Sequence, residues 1–188
     1  MPFRSTGCAT WSHRLTRLAL MGFRACVLTV STKGARGERV DESGERLTEM
    51  LNRLPAEIVG RAVVSDEVQD IQRQVREWLD STDPDLVLLT GGTGLGPRDV
   101  TPQALEGLLD YQVPGMAEAM RAAGLKKTPH AMLSRSLAGV SGRTLLLALP
   151  GSPRGAGDSL EAVLEALPHG LRSLRGEVSD SPAAHRPS

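Results

Sequence analysis

The sequence predicts an α/β protein with three layers, αβα, built on a mostly parallel sheet that also carries an antiparallel hairpin. Three observations lead there. Short aliphatic runs alternate with stretches whose apolar residues recur at helical spacing, the pattern of a parallel sheet covered on both faces. The third apolar run ends in a glycine-rich loop and then a helix-start signal, the strand–loop–helix order of open α/β sheets. Late in the chain, Ser141-Gly142 divides two apolar runs and suits a two-residue hairpin turn.

In order along the chain, Arg24–Ser31 is a β-branched apolar run that reads as a strand buried on both faces. Residues 32–42 read as a polar, glycine-containing loop. A helix over 43–53 follows from Leu47, Met50, Leu51 and Leu54, with Ser43 as its expected N-cap. Ile58–Val64 is the second strand. Glu67–Leu79 is the second helix, with Val68, Ile71, Val75, Trp78 and Leu79 on one stripe, and Asp85–Leu89 is the third strand. Thr101 reads as an N-cap and Pro102 as the first helical residue, where a missing N–H costs nothing. Pro114 gives the same signal for a helix to about Ala123. Met132–Val140 and Arg143–Leu149 are the expected hairpin strands, and Pro153–Leu174 a closing helix broken or shifted near Pro168.

A chain of 188 residues suits one domain of ordinary size. Lys plus Arg total 22 and Asp plus Glu total 22, so nothing global draws the protein to nucleic acid or an anionic membrane, and a charged ligand must be met by local groups. Cys8 and Cys26 form no CxxC pair, which gives neither a disulfide framework nor a cysteine zinc site and fits a reducing, cytoplasmic setting. No apolar run approaches the roughly 20 residues that span a bilayer. Residues 1–22 read as a disordered extension. Their basic, acid-free composition superficially suits a transit peptide, and Met21 stands just before the first strand as an alternative start. Residues 23–176 are the expected folded domain and 177–188 a disordered tail.

The chemistry gathers in LLTGGTGLGPRDVTP, Leu88–Pro102. Gly91, Gly92, Gly94 and Gly96 let the backbone approach a ligand with its N–H groups turned toward phosphate oxygens. The loop is neither a P-loop, lacking Gly-Lys-Ser/Thr, nor a dinucleotide fingerprint, since Pro97 and Arg98 stand where the third glycine belongs. A tight strand-to-helix turn is the bland alternative, although Arg98 and Asp99 exceed what a turn requires. Arg98 can pair with phosphate, and Asp99 can hold a magnesium ion that bridges phosphates. Asp66 ends the second strand and opens onto the same carboxyl edge. It reads either as a second metal-binding carboxylate or as a helix N-cap. Asp99 likewise reads as a metal ligand, a cap or a partner for Arg98.

These segments resemble the molybdopterin-binding family, specifically the molybdopterin adenylyltransferases (MogA/MoaB-like) of molybdenum cofactor biosynthesis. The resemblance rests on DESG (Asp41–Gly44), VVSDE (Val63–Glu67), TGGTGLGPRDVTPQA (Thr90–Ala104), VPGMAEAMR (Val113–Arg121) and the run Thr128–Pro153. It implies a homotrimer that uses ATP and magnesium to transfer AMP to the terminal phosphate of molybdopterin, with release of pyrophosphate and possible hand-over to a molybdate-insertion protein. It also implies that Asp66 and Asp99 are the functional aspartates and metal ligands. The pterin-phosphate cradle implied is Thr90, Gly91, Gly92, Thr93 and Gly94, with Arg98, Ser134 and the loop Pro150, Gly151 and Ser152 lining the ligand. Where many relatives carry GKP or GNP, this chain has GSP at Gly151–Pro153.

Other residues read more plainly. The four histidines show no metal-ligand spacing, Ser141-Gly142 is no nucleophile elbow, and Trp78 reads as core. Arg172 and Arg175 read as a solvated last helical turn. The rival functions are a non-catalytic molybdopterin carrier of the same family, and the related domain of metal-insertion proteins and nucleotide pyrophosphatases.

Overall fold

A computed structural model describes residues 22–177. The expected extension (1–22) and tail (177–188) lie outside the described residues except at their inner ends. Six strands form one mixed sheet in the order β2-β1-β3-β6-β5-β4. β1 (Phe23–Val30), β2 (Ala56–Val64), β3 (Leu86–Thr90) and β6 (Thr144–Leu149) are parallel, and β5 (Leu137–Ser141) is antiparallel to β6. β4 (Tyr111–Gln112) is a short edge strand antiparallel to β5, with no forecast in the sequence because two exposed residues carry no periodicity.

The helices are α1 (Thr32–Ala35), α2 (Glu42–Leu51), α3 (Val68–Ser81), α4 (Thr101–Glu106), α5 (Pro114–Leu125), α6 (Pro153–Leu164) and α7 (Leu167–Leu174). Strand alternation divides the core. Ala25, Val27, Leu86 and Leu88 face the cluster beneath α2, α5, α6 and α7. Cys26, Leu28, Val87 and Leu89 face the cluster with Ile71, Val75 and Trp78 of α3 and Leu105 of α4. The three-layer α/β reading is therefore correct, and Trp78 is core.

Four local expectations are corrected. The loop expected over 32–42 begins with α1, because Ser31 caps it by accepting from Gly34 N at 3.1 Å. The cap of α2 is Asp41 rather than Ser43: its Oδ1 accepts from Gly44 N at 2.9 Å. Thr101 is the first helical residue of α4, after Val100, and its hydroxyl donates to Gly91 O at 2.7 Å instead of capping. Residues 129–133 form a 3-10 turn led by Pro129 and capped by Thr128, which delays β5 to Leu137, and the hairpin turns at Gly142 and Arg143. The break near Pro168 stands, as α6 ends and α7 begins with Pro168 in its first turn.

Arg175 is likewise not solvated. Its Nε and Nη2 each donate to the Asp85 carboxylate at 2.6 Å, its guanidinium lies 5.0 Å over the Phe23 ring, and both charged side chains are nearly buried. Asp85 Oδ2 also accepts from Arg24 N at 2.7 Å. One ion pair thus joins the end of α7, the start of β1 and the lead-in to β3. The Asp85 carboxylate holds the Arg175 pKa above its already high ordinary value. Removing the cation leaves that carboxylate poorly paired. Arg175→Ala should lose about 3 kcal/mol of unfolding free energy in urea titration.

Burial pushes the Cys26 thiol up to about 11 despite its contact with the Thr82 hydroxyl. A thiol raised this far stays protonated, and hence unreactive, well above neutrality. Native protein at pH 8 should resist iodoacetamide at Cys26, and modification should appear only on unfolding, read by mass spectrometry.

Candidate active site

The carboxyl ends of β1, β2, β3 and β6 converge on one edge of the sheet, and each feeds a segment of the site. Gly91 lies at the centre of that edge with φ +107°. Its N–H donates to Leu149 O at 3.2 Å, and Thr90 Oγ1 donates to Pro150 O at 2.7 Å, so the loops after β3 and β6 are tied together. A Cβ on Gly91 would stand 2.3 Å from Val30 O, and one on Gly151 would stand 3.1 Å from Gly91 Cα. Gly92, with φ +63°, would meet Thr101 Oγ1 at 2.5 Å. The sequence therefore needs glycine here for both backbone conformation and close approach.

A cavity of about 500 Å³ opens over this edge, walled by Ser31, Thr32, Asp41, Asp66, Thr90, Gly91, Gly92, Arg98, Gly151 and Ser152 among others. Asp66 does not cap α3. Its Oδ2 accepts from Thr32 N at 3.0 Å while its own N–H donates to Thr32 Oγ1 at 3.1 Å, which pins the end of β2 to α1. Instead Ser65 donates to Asp70 in the first turn of α3, which with Arg73 holds the Asp70 carboxyl below its ordinary range.

Asp41, which the sequence marks only through DESG, is a second carboxylate on this wall. Its Oδ1 accepts from Thr29 Oγ1 at 2.8 Å and its Oδ2 from Arg61 at 3.1 Å, and it folds so closely over α2 that a Cβ on Gly44 would stand 2.2 Å from it. The Asp-to-Gly spacing in DESG is the available signal: a cap with glycine three residues on, where a Cβ would meet the capping carboxylate. Lys33 and Arg39 add cationic side chains to the same wall.

Asp99 sits differently. Its Oδ2 accepts from Gly96 N at 2.8 Å, its N–H donates to Gly96 O at 3.0 Å, and its carboxylate lies against Gly94 and Gly96 within the loop rather than on the wall of this cavity. Arg98 lines the cavity and makes no ion pair with Asp99. Thr93 is buried, and neither Thr93 nor Gly94 lines the cavity.

A second cavity, about 300 Å³, lies beyond Ser152 and is lined by Ser134, Ser136 and Pro150 together with the cationic side chains of Arg121, Lys127 and Arg154. Ser134 Oγ and Ser136 Oγ are 2.8 Å apart. Ser152 walls both cavities and caps α6 by accepting from Gly155 N at 3.1 Å. Of the residues expected at the site, Thr90, Gly91, Gly92, Arg98, Asp66, Gly151 and Ser152 thus meet in the first cavity, and Ser134, Pro150 and Ser152 in the second.

Residues 26–169 match the profile of a family described as "Probable molybdopterin binding domain". The chain belongs to this molybdopterin-binding family of molybdenum cofactor biosynthesis. It is 38% identical over 153 residues to the molybdopterin adenylyltransferase of Helicobacter pylori, covering 80% of this chain and 86% of that protein. It is 36% identical over 171 residues to the gephyrin of Dictyostelium discoideum, covering 85% of this chain but only 24% of that much longer protein. Among solved structures, the molybdopterin biosynthesis enzyme MoaB of Thermus thermophilus superposes with a TM-score of 0.78 at 54% identity, covering 82% of this chain and 97% of that one.

Two glycines of positive φ, one in the hairpin turn and one in the glycine loop, give a graded forecast. Gly142 has φ +59° in open space, so Gly142→Ala incurs backbone strain alone, about 1 kcal/mol. Gly91→Ala adds a backbone clash to a forbidden φ and should cost roughly 3 kcal/mol or more. Urea unfolding of the two variants side by side checks the order.

Proposed function

We propose that the protein is a molybdopterin adenylyltransferase, transferring AMP from ATP to the terminal phosphate of molybdopterin and releasing pyrophosphate. The observation that carries this reading is the pair of adjoining cavities, one under the glycine loop with Asp66 and Arg98, the other rimmed by cations, with Ser152 on the wall of both. A reaction that joins two anionic substrates calls for two neighbouring anion-accepting spaces and a shared boundary where the new bond forms.

The donor set fits magnesium in its usual protein mode. Asp66 and Asp99 each have one carboxylate oxygen engaged by a backbone N–H and the other oxygen unclaimed by any protein donor among the described residues. Among the described residues no group of three or more His, Cys, Asp or Glu side chains could hold a metal, which excludes an all-protein cage there but suits an ion held by one or two carboxylates and substrate phosphates. Such an ion, when bound, supplies charge neutralisation between the phosphates.

The rest falls to this chain's residues. An oxygen of the molybdopterin phosphate attacks the α-phosphorus of ATP, and the bond from that phosphorus to the bridging oxygen breaks, leaving pyrophosphate. Loop N–H groups and Arg98 hold the phosphates against the carboxyl edge and offset the charge that crowds there. A phosphate monoester is largely dianionic at neutral pH, its second pKa being about 6, so the nucleophile needs no strong base. The aspartates accordingly position and neutralise rather than abstract a proton.

The same reading makes the active species a homotrimer in a cytoplasmic setting that passes its product to a molybdate-insertion protein. The zero net charge supports the absence of nucleic-acid binding, and no helix of the described residues is long and apolar enough to cross a membrane. A second reading, a carrier that holds the pterin without transferring AMP, is favoured by one observation: the Asp99 carboxylate is turned into its own loop.

Purified protein given molybdopterin, ATP and magnesium should form adenylated pterin and pyrophosphate. Asp66→Ala and Asp99→Ala should each lower the rate by about a hundredfold or more, the scale of losing a charge-stabilising group. Tight pterin binding without product would establish the carrier, and an Asp99→Asn variant with full activity and magnesium affinity would refute the metal role.

A further inference from the structure

Arg135 has no place in the motifs that mark the phosphate loop, yet it holds that loop at three points. Its backbone N–H donates to Thr93 O at 2.8 Å, its Nε donates to Gly94 O at 2.7 Å, and its Nη2 donates to Asp99 O. A chain segment that lies beyond β4 and α5 in sequence therefore reaches back to grip three carbonyls of residues 93–99.

The consequence follows from peptide geometry. In a planar trans peptide the N–H of the next residue points opposite to the C=O. Fixing the carbonyls of Thr93, Gly94 and Asp99 toward Arg135 fixes the N–H groups of Gly94, Leu95 and Val100 away from it. The N–H groups of Gly92, Thr93, Gly94 and Leu95 donate to no protein acceptor among the described residues. Unclaimed successive N–H groups of this kind form an anion-accepting concavity. Left to itself, a glycine-rich segment is free to rotate such peptides and point carbonyls at the ligand instead.

We propose that Arg135 is a positioning residue that holds the glycine loop with its N–H groups presented to phosphate and its carbonyls withheld. It acts through the loop and lines neither of the two substrate cavities. A forked guanidinium suits the task because Nε and Nη2 take two carbonyls at once, whereas a lysine ammonium is a single point of charge on a flexible stem. The neighbouring Ser134 and Ser136 line the second cavity, so the same short segment that shapes the loop also forms the adjoining wall.

The ligand part of this inference rests on the transferase reading, whereas the brace itself does not. Amide hydrogen exchange on the ligand-free protein tests the brace in Arg135→Ala and Arg135→Lys. The reporters are the loop amides that the structure shows bonded: Gly91 to Leu149, Gly96 to the Asp99 carboxylate, Asp99 to Gly96, and Thr101 to Gly92. In Arg135→Ala these should exchange about tenfold faster or more while β1 amides keep their wild-type rates, since loss of a local brace opens a local unit. The Lys variant should lie between the two. In turnover, the KM for ATP should rise about tenfold in Arg135→Ala, with partial recovery in Arg135→Lys. Unchanged loop exchange, or a uniform rise that includes β1, would overturn the brace. Raised loop exchange with an unchanged KM for ATP would overturn its role in ligand positioning. Wild-type protein that neither binds nor turns over ATP and molybdopterin would sink the transferase reading instead, and the exchange comparison would still decide Arg135.

Discussion

Gly91 is pressed between two backbones, with Val30 O on one side and Gly151 on the other, and the site is arranged around that contact. Beside this close approach to the end of β1, hydrogen bonds tie the ends of β3 and β6 and the start of α4 into one cluster, through Gly91 to Leu149, Thr90 to Pro150 and Thr101 to Gly91. Two of these bonds link segments about 60 residues apart and the third closes the loop into α4, so the loop after β3, the loop after β6 and the start of α4 cannot shift independently. The proposed transfer would depend on this, because reacting groups misplaced by an ångström lose much of the advantage of being held together. The sheet below supplies rigidity, since the strands that feed the cluster are buried on both faces.

Charge in this molecule is local. Equal numbers of acidic and basic residues leave no net field to recruit an anionic substrate, so affinity has to arise where backbone N–H groups and a few side chains converge. The two cavities divide that work unequally. The first mixes the carboxylates of Asp41, Glu42 and Asp66 with Lys33, Arg39 and Arg98, a balance compatible with the proposed ion-bridged polyphosphate. Arg121, Lys127 and Arg154 give the second a cationic rim against the single acid Asp158. Ser152 stands where they meet, and its hydroxyl is already committed to the first turn of α6, which fixes the side chain in place.

The layers, the parallel strands and the glycine loop are legible in the sequence because each leaves a periodic or compositional trace. What escapes is long-range. Arg175 reads as a solvated cation since helix-end arginines usually are, and nothing local reveals that Asp85 waits for it 90 positions earlier. Arg135 is invisible as a loop brace for the same reason, its partners lying 36 and 41 residues away. Caps fail by small margins: Asp41, Ser43 and Thr101 are all good capping types, and only the fold decides which of them faces a free N–H. At the candidate site, sequence marks the part of the first cavity's wall that comes from the glycine loop, Asp66 and the loop after β6, but not the part from the end of β1 and α1, and Thr93 and Gly94 do not line it.

The structure replaces the N-cap reading of Asp66 with that of an anchor to Thr32, and this anchoring does not exclude the proposed metal role. A carboxylate offers about four lone-pair directions, and its bond to Thr32 N uses one. That bond orients the group, because the reciprocal Thr32 Oγ1 contact to Asp66 N fixes the backbone beneath it. The unengaged oxygen is then held at the cavity wall at little further cost in side-chain entropy when a cation arrives. Asp99 differs in place, since its bond to Gly96 N closes the loop and fixes the carboxylate plane within it, off the wall of this cavity. Structural hydrogen bonds of this kind would favour the proposed metal role, since carboxylates free to rotate would lose more entropy on binding an ion. The loop turn that looks like the bland explanation of Asp99 also fixes the carboxylate that the proposed transferase reading would use.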